Sequence, residues 1–215
     1  MGKKIIVLVE DKMFQLKNTV FNLQSTLSVA RKRAAANAPD EGDTEICVLH
    51  LIGDEKERNE ALFNNLLYKW EERAARSGIP QITYFYDPCK IDCDGYPANG
   101  DKMAERIARH IRELGSGKSL AVILDVILVP QKDQNMSLDE VKNGQMLSHK
   151  IDKALGGICI PYTLYGTGYG KFRDAWRIGT GRDKNIYDKD SLDRNTIDSG
   201  FRKELYKLLN IVETE

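Results

Sequence analysis

The stretch IIVLVED, residues 5–11, is a short apolar run that ends in two acids, Glu10 and Asp11. A second run, LAVILDVIL over residues 120–128, is interrupted by one aspartate, Asp125. Continuous runs of valine, isoleucine and leucine predict strands buried on both faces, as in a parallel sheet. A carboxylate on such a strand is costly unless it faces a crevice and binds a ligand. We therefore expect the functional site at the carboxyl edge of the sheet, the edge at which the parallel strands end.

Strand-like and helix-like segments alternate along the chain. Short runs rich in β-branched residues are separated by longer segments whose apolar residues recur every three or four positions, as in Leu16, Val20, Leu23, Leu27 and Ala30. This alternation is typical of βαβ units around a mostly parallel sheet. The sequence therefore predicts a doubly wound α/β fold, and we assign residues 1–215 to a single domain.

The composition indicates a soluble protein with no general affinity for polyanions. Lys and Arg number 32, as do Asp and Glu, so the net charge gives no attraction to nucleic acid or to an anionic membrane. The first apolar run is too short for a signal peptide, and no later run has the length of a membrane span. We expect a cytoplasmic protein that binds neither membranes nor nucleic acids. The four cysteines lack the spacing of a zinc site, so we expect structural, reduced thiols.

Several short motifs follow one another in an informative order. The acidic pair ends the first strand, and Asp125 is trailed by an apolar pair and a proline, in the order Val126, Ile127 and Pro130. Further along stand NGQML at residues 143–147, Ile151, Ile160-Pro161, Thr167, and Tyr187 two residues before Lys189. In this order the motifs resemble the receiver domain of two-component response regulators. The resemblance is strongest from Leu120 to Leu209.

The resemblance implies the flavodoxin-like receiver fold with one addition. The chain between the first helix and the Asp125 strand holds an extra strand–helix unit, within about residues 45–100. That unit is either Glu45 to Gly78 or Asp54 to Gly100, depending on which strand is the second strand of the family. The hydroxyl position of the family also differs here, because Gly166 occupies it and Thr167 follows one residue later.

The resemblance also implies a Mg²⁺ site. Glu10, Asp11 and Asp125 would hold the ion, directly or through water, together with the backbone carbonyl of Ile127. A cation is needed for this chemistry, because a phosphoryl group moving to a carboxylate brings negative charge toward negative charge. Oxygen ligands and retained water molecules suit Mg²⁺.

The function that the resemblance implies is a phosphorylation-dependent signalling switch. Asp125 would accept a phosphoryl group from a histidine kinase or another phosphodonor. Thr167 would hydrogen-bond one phosphoryl oxygen, and Lys189 would neutralise another. Tyr187 would report the state of the site by turning inward as Thr167 moves. The switch would signal through a downstream protein whose identity is open, and self-association into a homodimer is also left open.

Two other functions fit the same residues. A pseudo-receiver would keep the fold and bind a protein without being phosphorylated; Gly166 favours it, whereas the complete set of acids and Lys189 oppose it. A metal-dependent phosphohydrolase would use the acids on a free substrate, but Ile127 stands where an aspartate-nucleophile phosphatase has a second acid. Glu10 and Asp11 also have a structural explanation, since acids favour the first turn of a helix.

Overall fold

The fold is given by a computed structural model. It describes residues 3–11, 13–35, 44–51, 81–87, 100–128, 138–163, 185–188 and 199–211, with scattered positions within 64–75 and 174–181. Within these residues the strands are β1 (Lys4–Glu10), β2 (Thr44–Leu51), β3 (Gln81–Asp87), β4 (Ser119–Asp125), β5 (Cys159–Thr163) and β6 (Tyr187–Asp188). The longer helices are α1 (Met13–Ala35), α2 (Gly100–Leu114), α3 (Leu138–Ala154) and α4 (Ser199–Leu208).

The strands form one sheet in the order β3-β2-β1-β4-β5-β6, and every neighbouring pair is parallel. From β1 the chain builds outward through β2 and β3, and it then returns to the other side of β1 with β4. The direction of winding therefore reverses between β1 and β4, which is the topological switch point of a doubly wound sheet. The predicted α/β class with a parallel sheet is confirmed.

On one side of β1 the strands follow the order of the chain, with β2 between β1 and β3. β2 runs directly beside β1, so residues 44–51 form the second strand of the doubly wound core. β3 lies outside β2, at the margin of the described sheet. Which of the two segments is the extra unit stays a prediction. Without β3 the strand order is β2-β1-β4-β5-β6, which is the flavodoxin-like order.

Both faces of the central strands are buried, which explains their continuous apolar runs. Alternate residues of β1 point to opposite faces, and none of the side chains from Ile5 to Val9 is exposed. One face packs against α2 and α3 through Ile107, Ile111, Leu147 and Ile151. The other face packs against α1 and α4 through Leu16, Leu23, Phe201 and Leu205. Full burial of each such side chain contributes about 1.5–3 kcal/mol to the stability of the fold. The two cores therefore hold the central strands in place beneath the carboxyl edge.

A glycine pair ends α3 and leads into β5. Gly156 and Gly157 have positive φ angles of 74° and 80°, which glycine adopts without the steric penalty of a Cβ atom. The Gly157 N–H donates to the Asp152 carbonyl at 2.8 Å, as in a Schellman C-cap. The Asp152 side chain accepts the Cys159 N–H at 3.1 Å, so one residue closes the helix and anchors the next strand. The glycine pair therefore marks the C-terminal end of α3.

His149 is a buried histidine on α3 that packs against an aromatic ring. Its imidazole lies 4.8 Å from the ring of Trp176, between ring centroids, and Trp176 is itself completely buried. Burial lowers the pKa of His149 from 6.5 to about 4, although the charge of Asp152 acts in the opposite direction. The folded protein therefore holds this side chain neutral at pH values where an unfolded chain would begin to protonate it.

This burial predicts a loss of stability in mild acid. As the pH falls from 6.5 toward 4, the unfolded chain takes up a proton at His149 and the folded chain does not, so folding becomes less favourable. The contribution of this group reaches a slope of at most about 1.4 kcal/mol per pH unit. His149→Phe keeps a ring beside Trp176 and removes the titration, so it should lose less stability than the wild type between pH 7 and pH 5. Urea unfolding at both pH values measures the difference, and parallel losses in the two proteins would contradict the prediction.

Candidate metal centre

The two central strands bring the predicted carboxylates together. Glu10 ends β1 and Asp125 ends β4, and the register of the two strands places Val9 beside Leu124, one residue earlier in each. Asp11 follows β1 directly. One carboxylate oxygen from each of the three acids lies within 4.8 Å of the others. The three acids thus form a single cluster at the switch point, where doubly wound sheets bind their ligands.

This cluster is removed from solvent. Glu10 is completely buried, Asp125 is 3% exposed, and Asp11, the most accessible of the three, is 8% exposed. Buried carboxylates at such distances repel one another and are poorly solvated, so positive charge is needed to keep them ionised. Three acids that offer only oxygen atoms match the preference of hard divalent cations such as Mg²⁺, Ca²⁺ and Mn²⁺. The cluster could therefore hold a metal ion.

Backbone N–H groups help to orient two of the carboxylates. The Asp11 N–H donates to Oε1 of Glu10 at 3.2 Å. The Ile127 N–H donates to Oδ1 of Asp125 at 3.2 Å, so the chain turns tightly after β4 and keeps residue 127 beside the acid. Ile127, whose carbonyl was predicted as a ligand, is therefore close to the cluster. Ile127 is 3% exposed, and its side chain belongs to the core cluster that contains Val9 and Leu124.

Tyr162 belongs to this site and was missed by the sequence analysis. It lies on β5 in register with Asp125, and its hydroxyl donates to Oε2 of Glu10 at 2.8 Å. Burial above all, and then the charge of Glu10, raises the pKa of Tyr162 well above its ordinary value. The phenol therefore stays protonated and acts as a hydrogen-bond donor to the carboxylate. The sequence signal is a polar-tipped aromatic in the apolar strand CIPYT, residues 159–163, but its partner depends on strand register.

The remaining predicted residues divide into one that the structure describes and two that it does not. Tyr187 lies on β6 in register with Tyr162, is 8% exposed, and packs edge-on against Phe201 with ring centroids 5.3 Å apart. It is therefore buried on the same face of the sheet as the cluster, two strands away from Asp125. Thr167 and Lys189 lie outside the described residues.

The six-strand order is also that of sheets that bind dinucleotides. Those sheets hold a pyrophosphate over a glycine-rich turn after their first strand, at the N-terminus of the next helix. In this chain Glu10 and Asp11 occupy the corresponding place, and the segment EDKM, residues 10–13, contains no glycine. Two negative charges would repel a pyrophosphate, so the site suits a cation instead.

Neither a protein-family model nor a curated protein sequence matches this chain. The resemblance to receiver domains therefore stays a prediction from the order of the sequence motifs. Among the helices that the structure describes, none is long and apolar enough to cross a membrane.

The cluster predicts that a divalent cation stabilises the protein. At about ten times the dissociation constant, a ligand that binds only the folded state adds about 1.4 kcal/mol, which corresponds to about 3–6 °C in Tm for a domain of this size. Addition of Mg²⁺ or Mn²⁺ after chelator treatment should raise Tm by this amount, and Asp11→Asn should abolish the shift. Differential scanning calorimetry measures both.

Asp101→Asn is the matched control, because Asp101 is an exposed acid on α2 that pairs with Lys150 at 2.8 Å, outside the cluster. Its cation-dependent shift should equal that of the wild type. A shift that persists in Asp11→Asn, or disappears in Asp101→Asn, would contradict assignment of the ion to this site.

Proposed function

We propose that the protein is a phosphorylation-dependent signalling switch in which Asp125 accepts a phosphoryl group with Mg²⁺ as the cation. The observation that carries this proposal is the convergence of Glu10, Asp11 and Asp125 at the switch point of a sheet with flavodoxin-like core order. An acid that ends a central strand, with two further acids beside it, is the arrangement that an acyl phosphate site needs.

The hydrogen bonds within the site favour Mg²⁺ over larger cations. Both oxygens of Glu10 and one oxygen of Asp125 accept hydrogen bonds from the protein, which favours ligation through single oxygens. Mg²⁺ prefers such ligands in an octahedral shell that retains water. When bound, the ion supplies positive charge between the carboxylates and the phosphoryl oxygens.

Each residue has a defined part in the proposed transfer. An oxygen of Asp125 attacks phosphorus, and we assign Oδ2 because Oδ1 accepts the Ile127 N–H. The bond from phosphorus to the donor's leaving group breaks, and the leaving group departs with the electron pair and is protonated by solvent. Thr167 donates a hydrogen bond to one phosphoryl oxygen, and Lys189 neutralises another. A histidine kinase or a small phosphodonor supplies the phosphoryl group, and we place the protein in the cytoplasm.

Direct labelling tests the proposed acceptor. Incubation with a small acyl phosphate and Mg²⁺ should add one acid-stable, base-labile phosphoryl group, because an acyl phosphate on a carboxylate is cleaved by hydroxide. Asp125→Asn should remove the label, whereas Asp101→Asn should keep it. Intact-mass spectrometry detects the addition, and peptide mapping locates it.

If the protein stays unmodified under conditions that label a receiver domain in parallel, phosphotransfer is the wrong function, and a constitutive protein-binding module is the function that remains. Steady release of inorganic phosphate from added monoesters would instead favour a phosphohydrolase.

A second experiment tests the proposed switch. Beryllofluoride with Mg²⁺ mimics an acyl phosphate, so it should shift the NMR resonances of Thr167 and Tyr187 together. Because Tyr187 packs edge-on against Phe201, the ring resonances of Phe201 should move with them. Lys189→Ala should leave the fold intact and reduce these shifts. Shifts confined to the carboxylate cluster would show that Tyr187 does not respond to the phosphorylated state.

A further inference from the structure

The carboxylate of Glu10 is held at both of its oxygens. Oε2 accepts the hydroxyl of Tyr162 at 2.8 Å, and Oε1 accepts the N–H of Asp11 at 3.2 Å. A carboxylate can only accept hydrogen bonds, so the Tyr162 hydroxyl must point its proton toward Glu10. Glu10 and Tyr162 both have zero solvent exposure, so water cannot readily replace either of them as a hydrogen-bond partner.

These two hydrogen bonds restrict how Glu10 can bind a cation. Ligation through both oxygens of a carboxylate requires the group to turn so that both face the ion. Such a turn would pull Oε2 away from the Tyr162 hydroxyl and leave a buried donor unsatisfied. A loss of that kind typically changes an equilibrium constant by a factor of about 10. The fixed backbone N–H of Asp11 opposes the same movement from the other side.

The packing of Tyr162 limits the room around the site as well. Its ring belongs to the core cluster that contains Leu8, Ile123 and Ile160, and the aromatic ring cannot move aside without disturbing that core. A larger cation with seven or eight ligands needs more space and more carboxylate oxygens than Mg²⁺ does.

We infer that Tyr162 is a specificity-determining residue that restricts Glu10 to single-oxygen ligation and thereby favours Mg²⁺ over Ca²⁺. This inference rests on the cation site of the proposed function and adds to it the residue that selects the ion. Ca²⁺ commonly binds both oxygens of a carboxylate and tolerates an irregular shell of ligands. Its affinity should therefore increase most when the hydrogen bond from Tyr162 to Glu10 is removed. Mg²⁺ binds through a single oxygen of Glu10 with or without the Tyr162 hydrogen bond, so its affinity changes little when that bond is removed.

The test compares the two ions in the wild type and in Tyr162→Phe, using isothermal titration with MgCl2 and with CaCl2. The expected result is a decrease of about tenfold in the preference for Mg²⁺, caused mainly by tighter binding of Ca²⁺. Tyr206→Phe is the matched control, since Tyr206 is a tyrosine of the same core cluster with 8% exposure, and its preference should equal that of the wild type. A general loss of stability would weaken the binding of both ions alike and would leave the ratio of their dissociation constants unchanged.

A preference that stays within about twofold of the wild type in folded Tyr162→Phe would overturn the inference while leaving the cation site intact. Failure of the wild type to bind either ion would overturn the cation site itself, and the inference with it.

A measurement on the unmodified protein covers the case in which Tyr162→Phe does not fold. With ¹³C-labelled glutamate, infrared difference spectra of the Ca²⁺-loaded wild type should show the carboxylate stretching bands of single-oxygen ligation. Bands of two-oxygen ligation by glutamate would contradict the inference, and their loss in Glu10→Gln would assign them to Glu10.

Discussion

The parallel pairing of β1 with β4 is the constraint on which the site depends. The two strands run side by side from Lys4 beside Ser119 to Val9 beside Leu124, so the residues that follow, Glu10 and Asp125, meet at the same level. A slip of one residue would turn one carboxylate to the other face of the sheet, because side chains alternate along a strand. Two apolar cores, one on each face, hold this register in place.

The same burial that fixes the strands makes the carboxylates energetically demanding. Apolar side chains beneath the carboxyl edge exclude water, which strengthens the repulsion between the acids and equally strengthens their attraction to a cation. Backbone N–H groups at Asp11 and Ile127 and the hydroxyl of Tyr162 offset part of the lost solvation. Burial of the cluster is therefore energetically costly without compensating positive charge. The same environment makes the cluster well suited to bind a cation.

The sequence alone predicted the features that depend on local pattern. The apolar run that ends at Glu10 and the run that contains Asp125 identified two buried parallel strands. Features that depend on register could not be read in this way. Tyr162 meets Glu10 only because β5 begins at Cys159, whose N–H is held by Asp152, and no periodicity specifies the alignment of β5 beside β4.

The position of β3 at the margin of the described sheet decides how a change in that strand reaches the site. Within the described residues β3 pairs with β2, on the side of β2 that faces away from β1, and β2 separates it from the strands that carry the acids. A change in β3 therefore reaches β1 and β4 through β2 rather than by direct pairing. The topology thus separates the outer strand of the described sheet from the two central strands whose alignment the acids require.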